Sequence, residues 1–371
     1  MNINRIIFWE PVLSPHKFDF LSELVKINPS IEIICCANAD LGSDRLSQGW
    51  ILSPKDEFKF ITLHEQIEIK NLILENLENT FHVFSGIRWF ANIKIALFYV
   101  RKYHLKFSIM SEPRVVNDIL GPIRYIHSII TEGWIRNNVS LVFAQGANAP
   151  SWFQMALYPK EIIIPFAYFI KPPIFIKPFY TDSRIQVGYV GRLVKMKGIN
   201  YLIEGVNLIK DKVDLKIAGN GPILNNLKYF CRSLGLKAEF SGVIPMNTIG
   251  SYMSSLDVLV LPSISNDDGW GVVVSEALMC GTAVIATDAV GASVVLEDPI
   301  FGIRVPIKAP NDIASAILKL KKSGLFSTEI RLRRKELAIS RLSARAGATH
   351  FYSILKWAFN GEQKPTEFYR N

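Results

Sequence analysis

Two doubly wound α/β domains are what the sequence predicts, and three observations predict them. Short β-branched runs alternate with longer stretches of helical period along nearly the whole chain. Strands alternating with helices mean βαβ units and parallel sheets, which need cover on both faces. An apolar content of 49% over 371 residues suits that architecture, since a domain takes about 100–200 residues. Finally, a proline-rich stretch from Pro165 to Pro178 divides the chain near its middle and reads as a linker. The expected domains are residues 1–170 and 171–371, facing a central cleft.

The elements follow in order. In the first half, strands are predicted at Arg5–Trp9, Ile31–Ala37, Phe81–Phe84, Lys106–Ser111 and Ser140–Ala144. Leu63–Leu77 and Trp89–Tyr103 place apolar residues three and four apart, the signal of amphipathic helices. The rhythm then restarts with strands at Ile185–Val190, Asp214–Ala218, Ala238–Ser241, Asp257–Leu261 and Ala283–Ala286. Helices are expected near 198–210, 221–234 and 271–280. Final helices over roughly 327–361 lie beyond the second sheet and could pack on either domain.

Composition narrows the function classes. The mean hydropathy of +0.20 invites a search for membrane spans. The best stretch, Ile162 to Phe179, carries Lys171, Lys177 and four prolines, which prevents a continuous helix. With no leader pattern at the N-terminus, the expected place is the cytoplasm, free or peripheral on the inner face of the cytoplasmic membrane. Cys35, Cys36, Cys231 and Cys280 form no CxxC pair and read as buried free thiols.

The formal charge of +9 is unevenly spread. Residues 1–170 hold 16 basic and 16 acidic side chains, so the excess lies beyond them. Lys319 to Arg345 alone carries nine basic residues against Glu329 and Glu336, net +7. Surface solvation is the first reading of such a run. Attraction to an anionic membrane surface is the second. Nucleic acid lacks support, because no zinc finger, RRM signature or basic–aromatic alternation accompanies the charge.

In open parallel sheets, ligands bind where strands end and helices begin. The loop after the strand at Ile185–Val190 reads GRLVKMKG from Gly191 to Gly198. Gly191 permits a sharp turn, and Arg192, Lys195 and Lys197 stand beside the next helix N-terminus, a combination suited to a diphosphate. It is neither a Walker A motif nor GxGxxG; a plain basic surface loop is the alternative. The next loop is Ala218-Gly219-Asn220-Gly221-Pro222, whose glycines allow backbone to approach a ligand. A tight strand–helix turn explains it equally well. The third places Asp268 before Gly269-Trp270-Gly271, with Glu276 one to two turns into the following helix. Carboxylates there accept hydrogen bonds from sugar or ribose hydroxyls; the alternatives are an N-cap for Asp268 and an exposed helix residue for Glu276. One large phosphorylated ligand explains all three loops together.

These segments, with Phe240-Ser-Gly-Val-Ile and the block DGWGVVVSEALMCGTAVIATDAVGA, resemble the retaining GT-B glycosyltransferases of the group 1 (family 4) class over roughly Val187 to Pro306. The resemblance implies a nucleotide-diphosphate sugar as donor substrate, with no further cofactor and no metal. It implies that Arg192 and Lys197 neutralise the departing diphosphate, and that Gly191, Gly219, Asn220, Gly221, Gly269, Trp270 and Gly271 line the donor. Asp268 would hold sugar hydroxyls and Glu276 the ribose. The family usually has Glu at the first acidic position, so the shorter Asp268 changes reach toward the sugar ring.

The first half resembles the family less. In place of a glycine-rich turn after the first strand stands Pro11-Val-Leu-Ser-Pro-His16. His16 is a candidate contact to phosphate or acceptor, and Glu112, closing the strand at Lys106–Ser111, a candidate base or orienting group for the acceptor hydroxyl. Ser85-Gly86 and Gln145-Gly146 are weaker strand-end candidates, and His127, in an apolar helix, reads as structural. The function expected is transfer of one sugar, with retention, to a saccharide or lipid-linked acceptor of the bacterial surface-polysaccharide kind. The alternatives are a nucleotide-sugar epimerase of the same shape and a nucleotide-sugar-binding subunit without turnover.

Overall fold

The computed structural model describes residues 3–12, 14–37, 57–62, 65–88, 90–114, 120–174, 184–265 and 269–370. The chain divides into two compact units. One is Met1–Lys171 with Ser343–Tyr369, and the other is Pro172–Leu342.

The first unit holds seven strands: β1 (Arg5–Glu10), β2 (Glu32–Ala37), β3 (Lys59–Thr62), β4 (Thr80–Phe84), β5 (Phe107–Ser111), β6 (Leu141–Gln145) and β7 (Ile163–Phe166). All pair in parallel in the order β3-β2-β1-β4-β5-β6-β7. The central strands are apolar on both faces because helices cover both. On one face, Ile69, Leu72, Ile93, Val100 and Trp152 from three helices close a hydrophobic cluster over β1, β4 and β6.

The other face is covered by the first and last helices of the chain. Phe351, on the helix Ala344–Asn360, lies 5.9 Å from the ring of Phe8 and 5.1 Å from that of Phe143. The Tyr352 hydroxyl donates to the Leu24 carbonyl at 3.0 Å. Ser343 starts this helix, its Oγ accepting from the Ala346 N–H at 3.2 Å. The final helical stretch is therefore split at Ser343. Thr328–Leu342 packs on the helix Val272–Met279 of the second unit, and Ala344–Asn360 packs on the first.

Pro165 lies inside β7, so the first sheet runs into the stretch the sequence marks as a linker. β7 is an edge strand, where a missing N–H interrupts no central ladder.

The second unit has β8 (Ile185–Val190), β9 (Val213–Ala218), β10 (Ala238–Gly242), β11 (Val258–Leu261), β12 (Ala283–Thr287) and β13 (Gly302–Val305). These are also parallel, in the order β10-β9-β8-β11-β12-β13. In each unit the order reverses once, beside β1 and β4 in the first and beside β8 and β11 in the second. Such a reversal opens a crevice at the carboxyl ends of the two central strands.

The basic run from Lys319 to Arg345 does not form one charged face. Lys319, Lys321 and Lys322 are exposed in the last turn of the helix Pro310–Lys322, where they complement its dipole. Arg331 and Arg334 are buried, at 2% and 0% exposure. Arg331 donates to the carbonyls of Ser254 and Leu256 at 2.7 and 2.8 Å. Arg334 donates to those of Gly281 and Leu325 at 2.8 and 2.7 Å. Both satisfy carbonyls left over where helices end. Arg341 pairs with Asp298 at 2.8 Å, and Arg345 belongs to the first unit. The four cysteines are free and buried.

Candidate active site

Glycine backbone builds the crevice of the second unit. Gly191 ends β8, and its N–H donates to the Ala218 carbonyl at the end of β9, 3.1 Å away. Leu193 N–H then reaches the Asn220 carbonyl at 2.9 Å, and Ile223 N–H returns to the Leu193 carbonyl at 3.3 Å. The loops after β8 and β9 are thus laced together by main chain. Gly219 sits at φ +129°, and a Cβ there would collide with the Gly191 carbonyl. A Cβ on Gly221 would strike the Leu193 backbone in the same way. The two turns approach too closely for any side chain between them.

The loop after β8 continues through a tight turn at Lys195–Lys197 to Gly198, at φ +63°, where the helix Ile199–Asn207 begins. Met196 offers its carbonyl to the Ile264 N–H of the loop after β11, at 2.9 Å. That bond crosses the reversal point and fixes the β8 and β11 loops together. Arg192 and Lys195 are exposed on this rim, and Lys197 is half-buried. The Arg192 carbonyl is held by the Tyr189 hydroxyl at 2.8 Å, which steadies the backbone that carries the guanidinium.

The third loop returns through Gly269 and Gly271, both in the left-handed region at φ +59° and +77°. Asp268 lies outside the described residues. The Trp270 side chain is buried at 1% exposure, and its indole N–H donates to Ser275 Oγ at 3.0 Å. Its ring is therefore a wedge inside the fold, and Trp270 faces a ligand with backbone alone. The carbonyls of Gly269 and Trp270 accept from the N–H groups of Gly291 and Ala292 at 2.9 and 2.7 Å. The turn is thereby braced from behind.

Glu276 lies in the helix Val272–Met279, half-buried, and loss of hydration pushes its carboxyl up to about 7. A carboxyl poised near neutrality accepts hydrogen bonds from a diol when ionised.

All three loops follow the adjacent strands β9, β8 and β11, so the structure brings together Gly191, Arg192, Lys197, Gly219, Asn220, Gly221, Gly269, Trp270, Gly271 and Glu276 at the carboxyl ends of these strands. Among the described residues, no group of three His, Cys, Asp or Glu side chains is placed to hold a metal ion.

In the first unit, the crevice lies at the ends of β1 and β4. Glu10, the last residue of β1, is 7% exposed. Its carboxylate accepts from Lys17 Nζ at 2.8 Å and from Ser85 Oγ at 2.7 Å. Lys17 Nζ also stands 4.9 Å from the centre of the Phe8 ring. Sequence reasoning missed Glu10 and Lys17. The strand expected at Arg5–Trp9 stopped one residue short of Glu10, and only the strand order brings Ser85 to it. His16 is half-buried in the first turn of the helix Pro15–Ile27, and Glu112 directly follows β5. Because β4 separates β1 from β5, those two strand ends lie about 10 Å apart, two strand spacings.

Residues 173–339 match the family of group 1 glycosyl transferases. An uncharacterized glycosyltransferase of Methanocaldococcus jannaschii is 34% identical over 137 residues, which is 36% of this chain and 35% of that protein. The chain spans between about a quarter and two fifths of the length of the curated relatives it matches. Anabaena HepE, solved in complex with UDP-glucose, superposes with a TM-score of 0.66 at 15% identity, over 95% of this chain and 99% of that one. The apo form of WaaB, a lipopolysaccharide outer core galactosyltransferase, superposes with a TM-score of 0.66 at 16% identity, over 95% and 99%. At these identities the likeness is one of fold, the GT-B type. Among the described residues no helix is long and apolar enough to cross a membrane.

Proposed function

The chain carries a group 1 glycosyltransferase domain of the GT-B type, and from that premise we propose that the protein moves one sugar from a nucleotide-diphosphate donor to a saccharide or lipid-linked acceptor, with retention at the anomeric carbon. The observation that carries this reading is the laced set of loops after β8, β9 and β11, with Arg192 and Lys197 on its rim.

Breaking the bond between sugar and diphosphate places negative charge on the leaving oxygen while the anomeric carbon becomes cationic. Arg192 and Lys197 meet that charge, and their contribution is greater in the transition state than in the bound donor. The glycine turns at 191, 219 and 221 let backbone lie against the diphosphate, and Gly269, Trp270 and Gly271 present backbone to the sugar. Glu276 accepts from the ribose diol, and Asp268 holds sugar hydroxyls. In the first unit, His16 contacts acceptor or phosphate, and Glu112 orients the acceptor hydroxyl. Retention has the acceptor oxygen arrive on the face that the diphosphate leaves, so the departing phosphate oxygen itself can take the acceptor proton.

Two solved structures of like fold fit this reading by kind. HepE was solved with UDP-glucose, and WaaB is a lipopolysaccharide outer core galactosyltransferase. The test is a thermal-shift screen against nucleoside diphosphates and their sugar conjugates. Transfer assays then use the donor so identified, comparing wild type with Arg192→Ala and Lys197→Ala. Stabilisation by one nucleotide family, with loss of transfer in both variants, is the expected result. Transfer unchanged in both variants at low donor concentration would overturn the diphosphate assignment.

A further inference from the structure

A cavity of about 640 Å³ opens in the second unit beside the sheet edge formed by β10. Lys216, Lys228, Arg232 and Lys237 line it, with Leu236 and Phe240 among its apolar walls. Lys216 stands on β9, Lys228 and Arg232 are one turn apart on the helix Leu224–Ser233, and Lys237 directly precedes β10. Between Leu215 and Ala238 the sequence holds these four cations and no acidic residue. Part of the positive charge of the second half, which the run at 319–345 does not gather on one face, collects here instead.

Ordinary structural roles leave most of this charge unexplained. Arg232 is in the last turn of its helix, where it complements the dipole. Lys228 Nζ lies 5.7 Å from the centre of the Phe240 ring, a contact that positions the ammonium without neutralising it. None of the four forms an ion pair among the described residues. Two carboxylates share the lining, and both are engaged. Asp214 pairs with Arg184 at 2.6 Å and accepts from the Gln186 side-chain amide at 3.0 Å. Glu239 accepts from Ser241 Oγ at 2.9 Å. Arg184 cancels Asp214, which leaves four cations facing Glu239 alone.

Charge of one sign in a concave site with apolar walls focuses the field and draws in counter-ions. The volume falls within the roughly 300–1,000 Å³ of small-molecule sites, and a lone phosphate group would leave most of it empty. The donor crevice is elsewhere. It opens from Gly219, beyond the carboxyl end of β9, about 16 Å along the strand from Asp214.

We propose that this cavity binds a small phosphorylated metabolite. Lys228 and Arg232 hold the phosphate, flanked by Lys216 and Lys237, and the uncharged body lies against Leu236 and Phe240. The guanidinium meets two phosphate oxygens in a planar fork, and the lysines add mobile point charges. The inference goes beyond the transferase reading and does not rest on it.

The experiment is calorimetric titration of the full chain with glucose 1-phosphate, AMP, inorganic phosphate and glucose. Glucose 1-phosphate and AMP carry the same group on a sugar and on a nucleoside, so the tighter of the two identifies the body. One of these esters is expected to bind about tenfold or more tighter than inorganic phosphate, and glucose not at all. Lys228→Gln/Arg232→Gln, with unchanged circular dichroism and melting temperature, weakens that binding by about tenfold or more. Lys237→Gln, at an exposed position, weakens it less. Arg192→Ala/Lys197→Ala binds the ester as the wild type does, which separates this cavity from the donor crevice. Lys319→Gln/Lys321→Gln/Lys322→Gln also binds as the wild type does, which separates it from an effect of net charge. Failure of both esters to bind the wild type overturns the proposal. So does binding lost in the Arg192/Lys197 variant and kept in the Lys228/Arg232 variant, since the ester then sits in the donor crevice. Equal losses in all three multiple variants would mean diffuse charge, and inorganic phosphate binding as tightly as the esters would mean an adventitious ion only. Either result overturns the proposal as well.

Discussion

Arg331 and Asp257 form an ion pair inside the second unit, Nη1 to Oδ1 at 3.1 Å, with side-chain exposures of 2% and 11%. The other carboxylate oxygen of Asp257 accepts from the Gln186 N–H at 2.9 Å, near the start of β8. Arg331 spends its remaining Nη donor on two carbonyls at the end of the helix Ile249–Ser254. The pair therefore ties the helix Thr328–Leu342 to β8 and to the residue just before β11, the two strands whose far ends carry the candidate donor site.

Removing one partner of such a pair leaves a buried charge without compensation, at a cost of about 3–5 kcal/mol. Arg331→Met is expected to lower stability by that order in urea denaturation. Arg331→Lys is expected to recover only part, because an ammonium lacks the planar fork that reaches a carboxylate and two carbonyls together. A loss below about 1 kcal/mol for Arg331→Met would show that the pair adds little to the fold.

The close approach of Gly219 to Gly191 predicts a local effect on ligand binding. At φ +129° an alanine at 219 is strained, and its methyl would displace the Gly191 carbonyl, one residue before Arg192. Gly219→Ala is expected to weaken nucleotide binding by about tenfold or more, because sub-ångström shifts in a preorganised site are felt directly. Gly86→Ala is the matched control, with φ +83° and nothing within 4 Å of the new methyl. It carries the backbone strain of about 1 kcal/mol without altering the donor loops. Equal effects of the two on nucleotide affinity, by calorimetry, would remove the role given to the Gly219–Gly191 contact.

The strands that sequence reading missed share one physical feature, although one edge strand, β10, was recovered. β8, β9, β11 and β12 are mostly or wholly buried, and their apolar runs stand out from the polar turns. β3, β7 and β13 were missed, and all three are sheet edges. One face or end of an edge strand meets solvent, so Lys59, Pro165 and Arg304 interrupt the pattern that marks the others. The site divides similarly. The donor loops were legible because glycines and cations follow recognisable strands within a few residues. The Glu10–Lys17–Ser85 group was not, since Ser85 is 75 residues from Glu10 and meets it only through the β1–β4 pairing. Arg331 and Arg334 read as solvated charge because the carbonyls they satisfy lie up to 77 and 53 residues away.

Glu276 gives a pH dependence with a definite sign. Its carboxyl is raised by desolvation from 4.5 to about 7, so the folded chain holds a proton there that the unfolded chain has lost. Between those values the folded state binds more protons than the unfolded one, and this group's contribution to stability falls as pH rises through the window. Glu276→Gln is expected to remove that slope, seen as the difference between variant and wild-type unfolding free energies from pH 4.5 to 7. Donor binding carries the opposite sign. If the ionised carboxylate accepts from a ribose diol, wild-type affinity rises from pH 6 to 8 and the Gln variant loses most of that rise. An affinity profile shared by both proteins would take the ribose contact away from Glu276.

The last prediction concerns the crevice of the first unit, where Glu10 accepts from Lys17 at 2.8 Å and from Ser85 at 2.7 Å. Lys17 is held on its other sides by Met110 Sδ at 3.1 Å and by the face of Phe8. Lys17→Met fills the same apolar surroundings but strands the Glu10 carboxylate, and about 3 kcal/mol of stability is expected to be lost. Pairing it with Glu10→Gln removes the stranded charge, so the double variant should be more stable than Lys17→Met alone, the coupling expected of neighbours. The site lies in the unit where His16 and Glu112 are proposed to meet the acceptor. The double variant should therefore raise the acceptor KM while nucleotide affinity, measured by calorimetry, stays at the wild-type value. Weakened nucleotide binding with an unchanged acceptor KM would mean that this crevice serves the donor, and the division of labour between the two units would have to be reversed.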